Sequence, residues 1–559
     1  MSAVVLLIIG LGSLAAGYFL YSRFIAQKIL KLDPDFQTPA HQVNDGVDYV
    51  PTNKYVLWGH HFTSVAGASP IVGPAIAVIW GWAPAFVWVI LGTIFLAGVH
   101  DMAAIWASSR NRGLSIGGIA GLVVGPRTRS LFMVVIFLLL LMVNAVFGVV
   151  IAGMMIKTPS SVLPVWGALV VAFFIGQCIY RFKLNLPLVS LLGVIALYVL
   201  IYLGPIYPLA IPENMLGLPT NAWWIVMLFV YAGIASLLPV WMLLQPRDYI
   251  NGLQLFVGLI VLYSAFFLVN PTVVAPAINP DVPAGTPPLM PLLFVTVACG
   301  AISGFHGLVS SGTTSKQVDK EPDARFVGYF GAIGEGLLAL ASILAVSAGF
   351  ATLAEWQQVY AVFGKANIGA FIDGGAAIIH AGVGLDPTLS ATMLTVMAAL
   401  FAGTTMDTGV RLQRYIFHEW GEIYGIEAFK KSWVSTLMAV GSCMLLAFGA
   451  GGLDGTGGML IWPLFGTTNQ LMAGLTLLVV TVMLLKAGRK VWFTLLPMAF
   501  VMLISIVALL LQLKEFYDKG NWLLIVMDIV ILVCSILATL ECISVLKREW
   551  PGKKEAQSA

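Results

Sequence analysis

Apolar runs recur along almost the whole 559-residue chain and are separated by short polar stretches. Many of these runs reach about 18 residues, which is long enough to cross a bilayer as an α-helix. The pattern predicts fifteen membrane spans and no soluble domain. The predicted spans cover residues 4–21, 55–80, 84–107, 130–155, 163–180, 186–204, 222–245, 249–270, 289–313, 326–352, 388–405, 432–450, 459–485, 491–512 and 522–545.

Two segments between these spans have a mixed pattern. Residues 354–385 are half apolar, which predicts a short helix that lies on the outer surface or dips into it. Residues 407–431 mix charged and aromatic side chains, which predicts a helix at the cytoplasmic surface.

The distribution of Lys and Arg between alternate loops provides a test of this order of spans. If the N-terminus is outside, 25 of the 29 Lys and Arg residues fall in the loops on one side. Cytoplasmic loops carry such an excess, so the chain is predicted to have its N-terminus outside and its C-terminus, with Lys553 and Lys554, inside. The remaining four basic residues fall on the outer side, and they are Lys157, Lys365, Lys514 and Lys519.

The second predicted span has the strongest helix-breaking pattern in the chain. His60 and His61 lie near its inner end, and small residues and prolines follow over 67–74. Pro70 and Pro74 each remove a backbone donor and clash with the preceding turn. The pattern predicts an interruption near the middle of this span.

The ninth predicted span belongs to the stretch 291–317, which carries His306 and closes on a run of Ser and Thr. Gly300 and Gly304 lower its helix propensity near mid-depth. An interrupted helix at membrane depth survives only beside protein or a polar cavity, so the span is predicted to line a transport site. The alternative is a Gly- and Ser-rich helix packed closely on its neighbours.

The two interrupted spans run in opposite directions across the membrane in the predicted topology. This arrangement is typical of inverted-repeat transporters, which bind substrate where such helices break. Free N–H groups at a half-helix suit a carboxylate, and free carbonyls suit a cation. Because seven spans and not five separate the two breaks, the repeat must carry extra helices.

Ionisable residues within the spans are candidates for ion coupling. Glu335 lies near the midplane, where a carboxyl group could carry a proton, and His100 and Asp101 lie toward the cytoplasmic end of the third span. Histidine titrates near neutral pH, which adds His61 and His306 to the candidates. The alternatives are a protonated structural Glu335, an Asp101 that faces the interface, and histidines bonded to backbone carbonyls.

Composition supports a membrane protein, since 59% of the residues are hydrophobic, 10% are charged and the mean hydropathy is +0.94. The five cysteines all lie in apolar spans without metal spacing, so neither a disulfide framework nor a metal site is expected. The sequence contains no phosphate-binding loop, no nucleophile elbow and no pattern for nucleic acid. The chain is therefore not expected to be an enzyme or to bind nucleic acid.

Several blocks of sequence together resemble the carbon starvation A family of bacterial inner-membrane transporters. These blocks are WGHHF at 58–62, GASPIVGP at 67–74, HD at 100–101, SGFHGLVSSGTTSKQ at 303–317, MDTGVRLQRY at 406–415 and WPLFGTTNQ at 462–470. The resemblance implies proton-driven uptake of peptides or of small carboxylates such as pyruvate. It also implies an all-α fold related to the amino acid–polyamine–organocation superfamily, with a LeuT-like inverted-repeat core plus extra helices.

The residues and the resemblance lead to the hypothesis of a secondary-active symporter in the bacterial inner membrane. It forms one transport domain, with an N-terminal helix and loop (1–54), a core (55–485) and C-terminal helices with a cytoplasmic tail (486–559). Its partners are a peptide or small carboxylate and membrane lipid, and no oligomeric state is predicted. It uses a proton or sodium gradient and no cofactor. The alternatives are a membrane-embedded metal-binding protein and a starvation sensor.

The predicted site residues fall into three groups by role. The substrate would be bound by His60, His61, Gly67, Ser69, Gly300, Ser303, Gly304, Ser310, Ser311, Thr313, Thr314, Thr467 and Asn469, the last two in a third interrupted span that completes or gates the pocket. The coupling ion would be carried by His61, His100, Asp101, His306 and Glu335. Asp407, Arg411 and Arg414 form either a cytoplasmic gate or a solvated charge cluster.

Overall fold

The computed structural model describes residues 1–453 and 457–550. This part of the chain is helical, and its only β-type pairings are three isolated bridges. Lys553 and Lys554, which the topology places in the cytoplasm, lie outside the described residues. The helices are Ala3–Ile29, Pro39–Gln42, Lys54–Ala66, Ser69–Trp80, Trp82–Arg110, Ile116–Val123, Pro126–Lys157, Pro159–Arg181, Leu186–Leu203, Met215–Gly217, Thr220–Leu237, Leu244–Val269, Leu289–Thr296, Gly304–Gly312, Thr314–Lys316, Arg325–Ala348, Leu353–Val359, Ile368–Val383, Pro387–Tyr424, Ser432–Gly449, Gly457–Lys486, Trp492–Asp518 and Trp522–Glu549.

The helices confirm a multi-pass membrane architecture with about fifteen spans. In the described part, thirteen helices are long and apolar enough to cross a membrane. Lys54–Ala66 and Ser69–Trp80, bent by 43° at their junction, form a fourteenth and are called the first broken span. The remaining predicted span consists of two short helices, Leu289–Thr296 and Gly304–Gly312, called the second broken span.

Alternate span ends meet on two faces of the molecule. On the N-terminal face, the N–H of Ala3 donates to the carbonyl of Pro271 at 3.0 Å. On the opposite face, Arg110 donates to both carboxylate oxygens of Glu321 at 2.6 and 2.8 Å. Because most Lys and Arg residues lie in loops at that second face, we call it the basic face.

Burial separates a central set of helices from a peripheral set. Nearly all side chains of Arg325–Ala348 and Gly457–Lys486 are buried inside the protein. Pro159–Arg181 and Leu186–Leu203 instead leave most of their apolar side chains partly or fully exposed, as lipid-facing helices do. The broken spans are buried among the central helices.

Two sequence predictions changed at the level of single helices. The span predicted over 388–405 is the first part of one 38-residue helix, Pro387–Tyr424, which also contains the predicted surface helix. The span predicted to be interrupted near Thr467 is the continuous helix Gly457–Lys486, which accommodates Pro463 in its interior. The segment 354–385 does contain short helices, Leu353–Val359 and Ile368–Val383, as predicted.

Candidate functional site

The first broken span is interrupted at a single glycine. Lys54–Ala66 ends at Gly67, which has φ +55° and ψ −155°, and a second helix begins at Ser69. A positive φ strains residues that carry a Cβ, and a Cβ at Gly67 would also lie 2.8 Å from Phe147. Pro70 is compatible with a helix start, and Pro74 sits inside the second helix without breaking it. The glycine, and not the two prolines, therefore makes the break.

The second broken span is interrupted over residues 297–303, as predicted. Leu289–Thr296 ends at Val297, and the chain resumes its helix at Gly304. Gly300 lies in the gap with φ +96°, again a conformation that favours glycine.

The two breaks lie against each other. A Cβ added at Gly300 would lie 3.6 Å from the Cα of Pro70 and 2.9 Å from the Cβ of Ala339. A Cβ at Gly73 would lie 3.3 Å from the Cα of Val297. Glycine at these positions lets two backbones approach closely, so both interruptions share one buried region beside helix Arg325–Ala348.

Three backbone carbonyls at or beside the breaks accept hydrogen bonds from hydroxyl groups. Thr93 donates to the carbonyl of Gly300 at 2.9 Å, and Ser342 donates to that of Ile71 at 2.7 Å. Thr405 donates to the carbonyl of Ser64 at 2.9 Å. These bonds meet the need to satisfy backbone groups at membrane depth. The peptide groups are thus less available to a solute than the sequence suggested.

Four of the five predicted coupling residues form one buried cluster, called the central cluster. Asp101 lies at its centre, with Oδ1 2.8 Å from Nδ1 of His100 and Oδ2 2.8 Å from Nδ1 of His306. The other ring nitrogen of His306 is 3.1 Å from Oε2 of Glu335, an ion-pair distance without hydrogen-bond alignment. All four side chains are at most 1% exposed.

The fifth predicted coupling residue, His61, lies beside this cluster. Its Nδ1 is 2.9 Å from the hydroxyl of Thr314, while its Nε2 has no hydrogen-bond partner among the described residues. A Cβ at Gly331, one turn before Glu335, would lie 2.9 Å from the His61 ring. Both broken spans and the helices Trp82–Arg110 and Arg325–Ala348 therefore each contribute a titratable side chain to this region.

A second buried charge cluster, called the arginine cluster, was not predicted. Arg247 donates to Asp248 at 2.8 Å and forms a short ion pair with Asp407. Asp248 also lies 2.6 Å from Nδ1 of His60, and Tyr231 donates to Asp407 at 2.8 Å. His60, predicted to bind substrate, therefore belongs to this cluster and not to the central one.

The predicted gate residues do not act as one group. Asp407 is paired inside the arginine cluster, whereas Arg411 donates to Asp48 at 3.1 Å. Tyr415 donates to the same Asp48 oxygen at 2.7 Å. Asp407 and Arg411 are each 1% exposed, so the alternative of a solvated charge cluster is wrong for both. Protein groups surround both charges, because Arg247 contacts Asp407 and Asp48 contacts Arg411. Arg414 stacks on the Tyr415 ring at 4.8 Å.

Asp48 belongs to the loop that precedes the first broken span. Burial opposes ionisation of this carboxyl group, but the positive charges of Arg411 and Lys316 outweigh burial and leave its pKa below the ordinary value. The contact between Asp48, Arg411 and Tyr415, called the basic-face lock, joins this loop to helix Pro387–Tyr424.

The remaining predicted substrate residues divide into bonded and unpartnered side chains. Asn469 accepts from Ser303 at 3.1 Å and from the N–H of Phe305 at 2.8 Å, so it caps the second half of the second broken span. Ser311, Thr313 and Thr467 donate to carbonyls one turn earlier in the chain. The hydroxyls of Ser69 and Ser310 are buried and have no partner among the described residues.

The arginine cluster is marked in the sequence by regularly spaced polar residues. Gln245, Asp248, Asn251 and Gln254 recur every three residues at the start of an apolar span, and all four are buried. Polar residues at that spacing mark the protein-facing side of a membrane helix. Asp48 and its lock carry no comparable signal, because the contact joins residues 363 positions apart.

The metal-binding alternative requires a group of ligand side chains close together. Within residues 1–453 and 457–550, no group of three or more His, Cys, Asp or Glu side chains is arranged to hold a metal ion. Cys299 receives a contact from Asn469 at 3.0 Å and lies 3.4 Å from Ser303.

Sequence comparison identifies the family. The model of the family "Carbon starvation protein CstA" matches residues 2–367 and 351–508. The chain belongs to this family. Among named CstA relatives, the peptide transporter CstA of Campylobacter jejuni is 32% identical, covering 93% of this chain and 81% of the relative. The peptide transporter CstA of Bacillus subtilis is 32% identical, covering 88% and 86%.

Another relative is named for a different substrate. The pyruvate/proton symporter BtsT of Escherichia coli is 30% identical to this CstA-family chain, covering 92% of this chain and 82% of the relative. Among solved structures, a manganese transporter mutant of Eremococcus coleocola aligns with TM-score 0.54 over 91% of this chain and 99% of that chain. Its sequence is 12% identical, so this likeness concerns the fold alone.

Proposed function

We propose that this CstA-family chain is a secondary-active symporter that takes up a small carboxylate-bearing solute, either a peptide or pyruvate, with protons. One observation carries the proposal: two interrupted spans meet in a buried region beside a chain of two histidines and two carboxyl groups. Broken helices in a transporter expose polar groups to a substrate, and intramembrane ionisable groups carry coupling ions. Transport, and not catalysis, is the activity proposed.

The central cluster would couple proton binding to transport through its charge. Asp101 and Glu335 flank His306, so a proton gained or lost by any of these side chains alters the net charge of a buried site. Burying a charge without a partner is costly, and a membrane protein therefore favours the conformation that balances it. We infer that proton and substrate together stabilise the state that releases both inside.

The substrate would lie between the two breaks, where unpartnered side-chain groups remain. Ser69, Ser310 and His61 each present a buried polar atom without a partner among the described residues. Such atoms are costly unless a ligand or water satisfies them. Relatives named for peptides and for pyruvate transport solutes that share a carboxylate, which hydroxyl and imidazole donors recognise.

The conformation described would be closed toward the cytoplasm. We place the basic face inside, following the positive-inside rule, and the N-terminus outside the bacterial inner membrane. The basic-face lock then closes the inner side, because Asp48 ties the loop before the first broken span to Arg411. Opening this contact would be one step of alternating access.

The experiment that tests the proposal compares gradients and substrates in proteoliposomes. Purified protein is reconstituted, and uptake of labelled pyruvate and of labelled dipeptides is measured with an imposed pH gradient or an imposed sodium gradient. Accumulation driven by the pH gradient alone supports proton symport. Accumulation with sodium alone would reassign the ion, and no flux of any substrate would favour the sensor alternative.

The Glu335→Gln variant tests the coupling role. The amide cannot exchange a proton, so we expect pH-driven accumulation to disappear while exchange of internal for external substrate persists. The matched control is Asp528→Asn, which removes a fully buried carboxyl group in helix Trp522–Glu549, outside the central cluster. Accumulation by Glu335→Gln at the wild-type level would contradict the assignment.

A further inference from the structure

A large cavity lies on the N-terminal face, apart from the predicted substrate residues. Its volume is about 790 Å³, and its wall includes Gly153, Lys157, Lys365 and Asp373. It is formed by the ends of helices Pro126–Lys157 and Ile368–Val383 and by the segment 350–367, which contains helix Leu353–Val359. None of the thirteen predicted substrate residues contributes to this wall.

The cavity carries a net positive charge. Lys157 and Lys365 are two of the four basic residues that the topology places outside, and both are exposed. The wall contains one carboxyl group, Asp373, which lies 3.3 Å from the ammonium of Lys157. This pair leaves the charge of Lys365 without a counter-charge in the wall.

The inner end of the cavity approaches the first broken span. Val72 forms part of the wall, and it lies three residues beyond Ser69, where the second half of that span begins. The adjacent Gly73 packs on Val297 at the second break. The cavity wall therefore includes both exposed lysines and part of the helix that packs against the second break.

We propose that this cavity is an anion-attracting outer vestibule, in which Lys365 and Lys157 draw carboxylate-bearing substrates toward the broken spans. The inference rests on the proposed uptake of a carboxylate solute. A cleft lined by one sign of charge raises the local concentration of ions of the opposite sign and the rate at which they enter. Asp373 opposes this effect by neutralising Lys157.

The proposal is tested by initial pyruvate uptake into phosphatidylcholine proteoliposomes, which contain no anionic headgroups to compete for the lysines. For Lys365→Gln we expect the ratio of maximal rate to KM to fall about threefold to tenfold at low ionic strength, with the maximal rate unchanged. The loss shrinks as salt is added, because salt screens exposed charges. The matched control is Lys514→Gln, an exposed outer lysine outside the cavity wall, which should behave as wild type.

A second variant reverses the sign of the effect. Asp373→Asn frees the charge of Lys157, so we expect the same ratio to rise and to become more sensitive to salt. A structural role for these residues would lower uptake in both variants. If wild-type uptake is measurable but neither variant alters its salt dependence, the vestibule proposal is overturned and the transport proposal stands. If wild-type protein moves no substrate, the transport proposal itself fails.

Discussion

At the scale of single residues, the arginine cluster shows how a charge is accommodated inside this membrane protein. Arg247 is 2% exposed and contacts two carboxyl groups, one from its chain neighbour and one from helix Pro387–Tyr424. A buried ion pair contributes little net stability, but the loss of one partner leaves a charge that is poorly compensated. Arg247 and Asp407 should therefore depend on each other.

Asp407→Asn removes the second carboxylate from Arg247. We expect it to destabilise the protein by about 3–5 kcal/mol, measured as a lower unfolding temperature in detergent. The control is the triple variant Arg247→Met, Asp248→Asn and Asp407→Leu, which removes the arginine together with both of its carboxylates and should recover most of the loss. Equal unfolding temperatures for the single and triple variants would contradict this account.

At the scale of elements, the second half of the second broken span depends on its close approach to helix Gly457–Lys486. A Cβ at Gly304 would lie 2.5 Å from the backbone nitrogen of Ala473, an atom that cannot move alone. Asn469 on the same helix caps the restart at Gly304. Proximity and capping together position His306 two residues later.

Gly304→Ala should separate these two elements. Overpacking of this kind costs about 1–3 kcal/mol, so we expect a lower unfolding temperature and weaker substrate uptake. Gly441→Ala is the control, because a Cβ there meets nothing within 4 Å, and alanine favours a helix over glycine. If both variants unfold at the same temperature, close packing at Gly304 is not a constraint.

At the scale of the whole molecule, the two faces differ in structure. The N-terminal face carries the cavity proposed as a vestibule, whereas on the basic face Asp48 contacts Arg411 and Tyr415. A transporter that alternates between two states must break one closure as it forms the other. The basic-face lock should therefore bias the conformational equilibrium.

Asp48→Asn should weaken the lock and shift the protein toward opening at the basic face. The measurement is labelling by an impermeant thiol reagent in a cysteine-free background, using Ser64→Cys, buried at the first break, and Gly153→Cys, on the vestibule wall. We expect Asp48→Asn to raise labelling of position 64 from the basic face and to lower that of position 153. Unchanged labelling at both positions would show that the lock does not control access.

The lock should not respond to pH near neutrality. The pKa of Asp48 is lower in the folded protein than its ordinary value, so its contribution is fully present above that ordinary value and is lost only in acid, as pH falls through the lowered pKa. The ratio of labelling of position 64 in Asp48→Asn to that in the otherwise unchanged protein should thus stay constant from about pH 6 to about pH 8. A change of this ratio in that range would mean that the contribution of Asp48 itself responds to pH.

The sequence alone determined the membrane architecture and the location of both breaks. Long apolar runs and alternating basic loops reflect the bilayer, which acts on each segment independently of the rest of the fold. The regions of both interruptions were predicted from local residue types, the first from the prolines and small residues of 67–74 and the second from Gly300 and Gly304. In the first, however, Gly67 and not the prolines makes the break. His306, Asp101 and Glu335 were also identified, because ionisable residues are rare within spans.

Tertiary structure alone decided which of these residues meet. In the folded protein, His306 contacts Asp101 and Glu335, and His60 contacts Asp248. Asp407 contacts Arg247, whereas Arg411 contacts Asp48. Hydroxyl groups from three other helices also donate hydrogen bonds to carbonyls at or beside the breaks. Such contacts link residues far apart in the chain, and they depend on helix packing, which the spacing of residues within one helix does not specify.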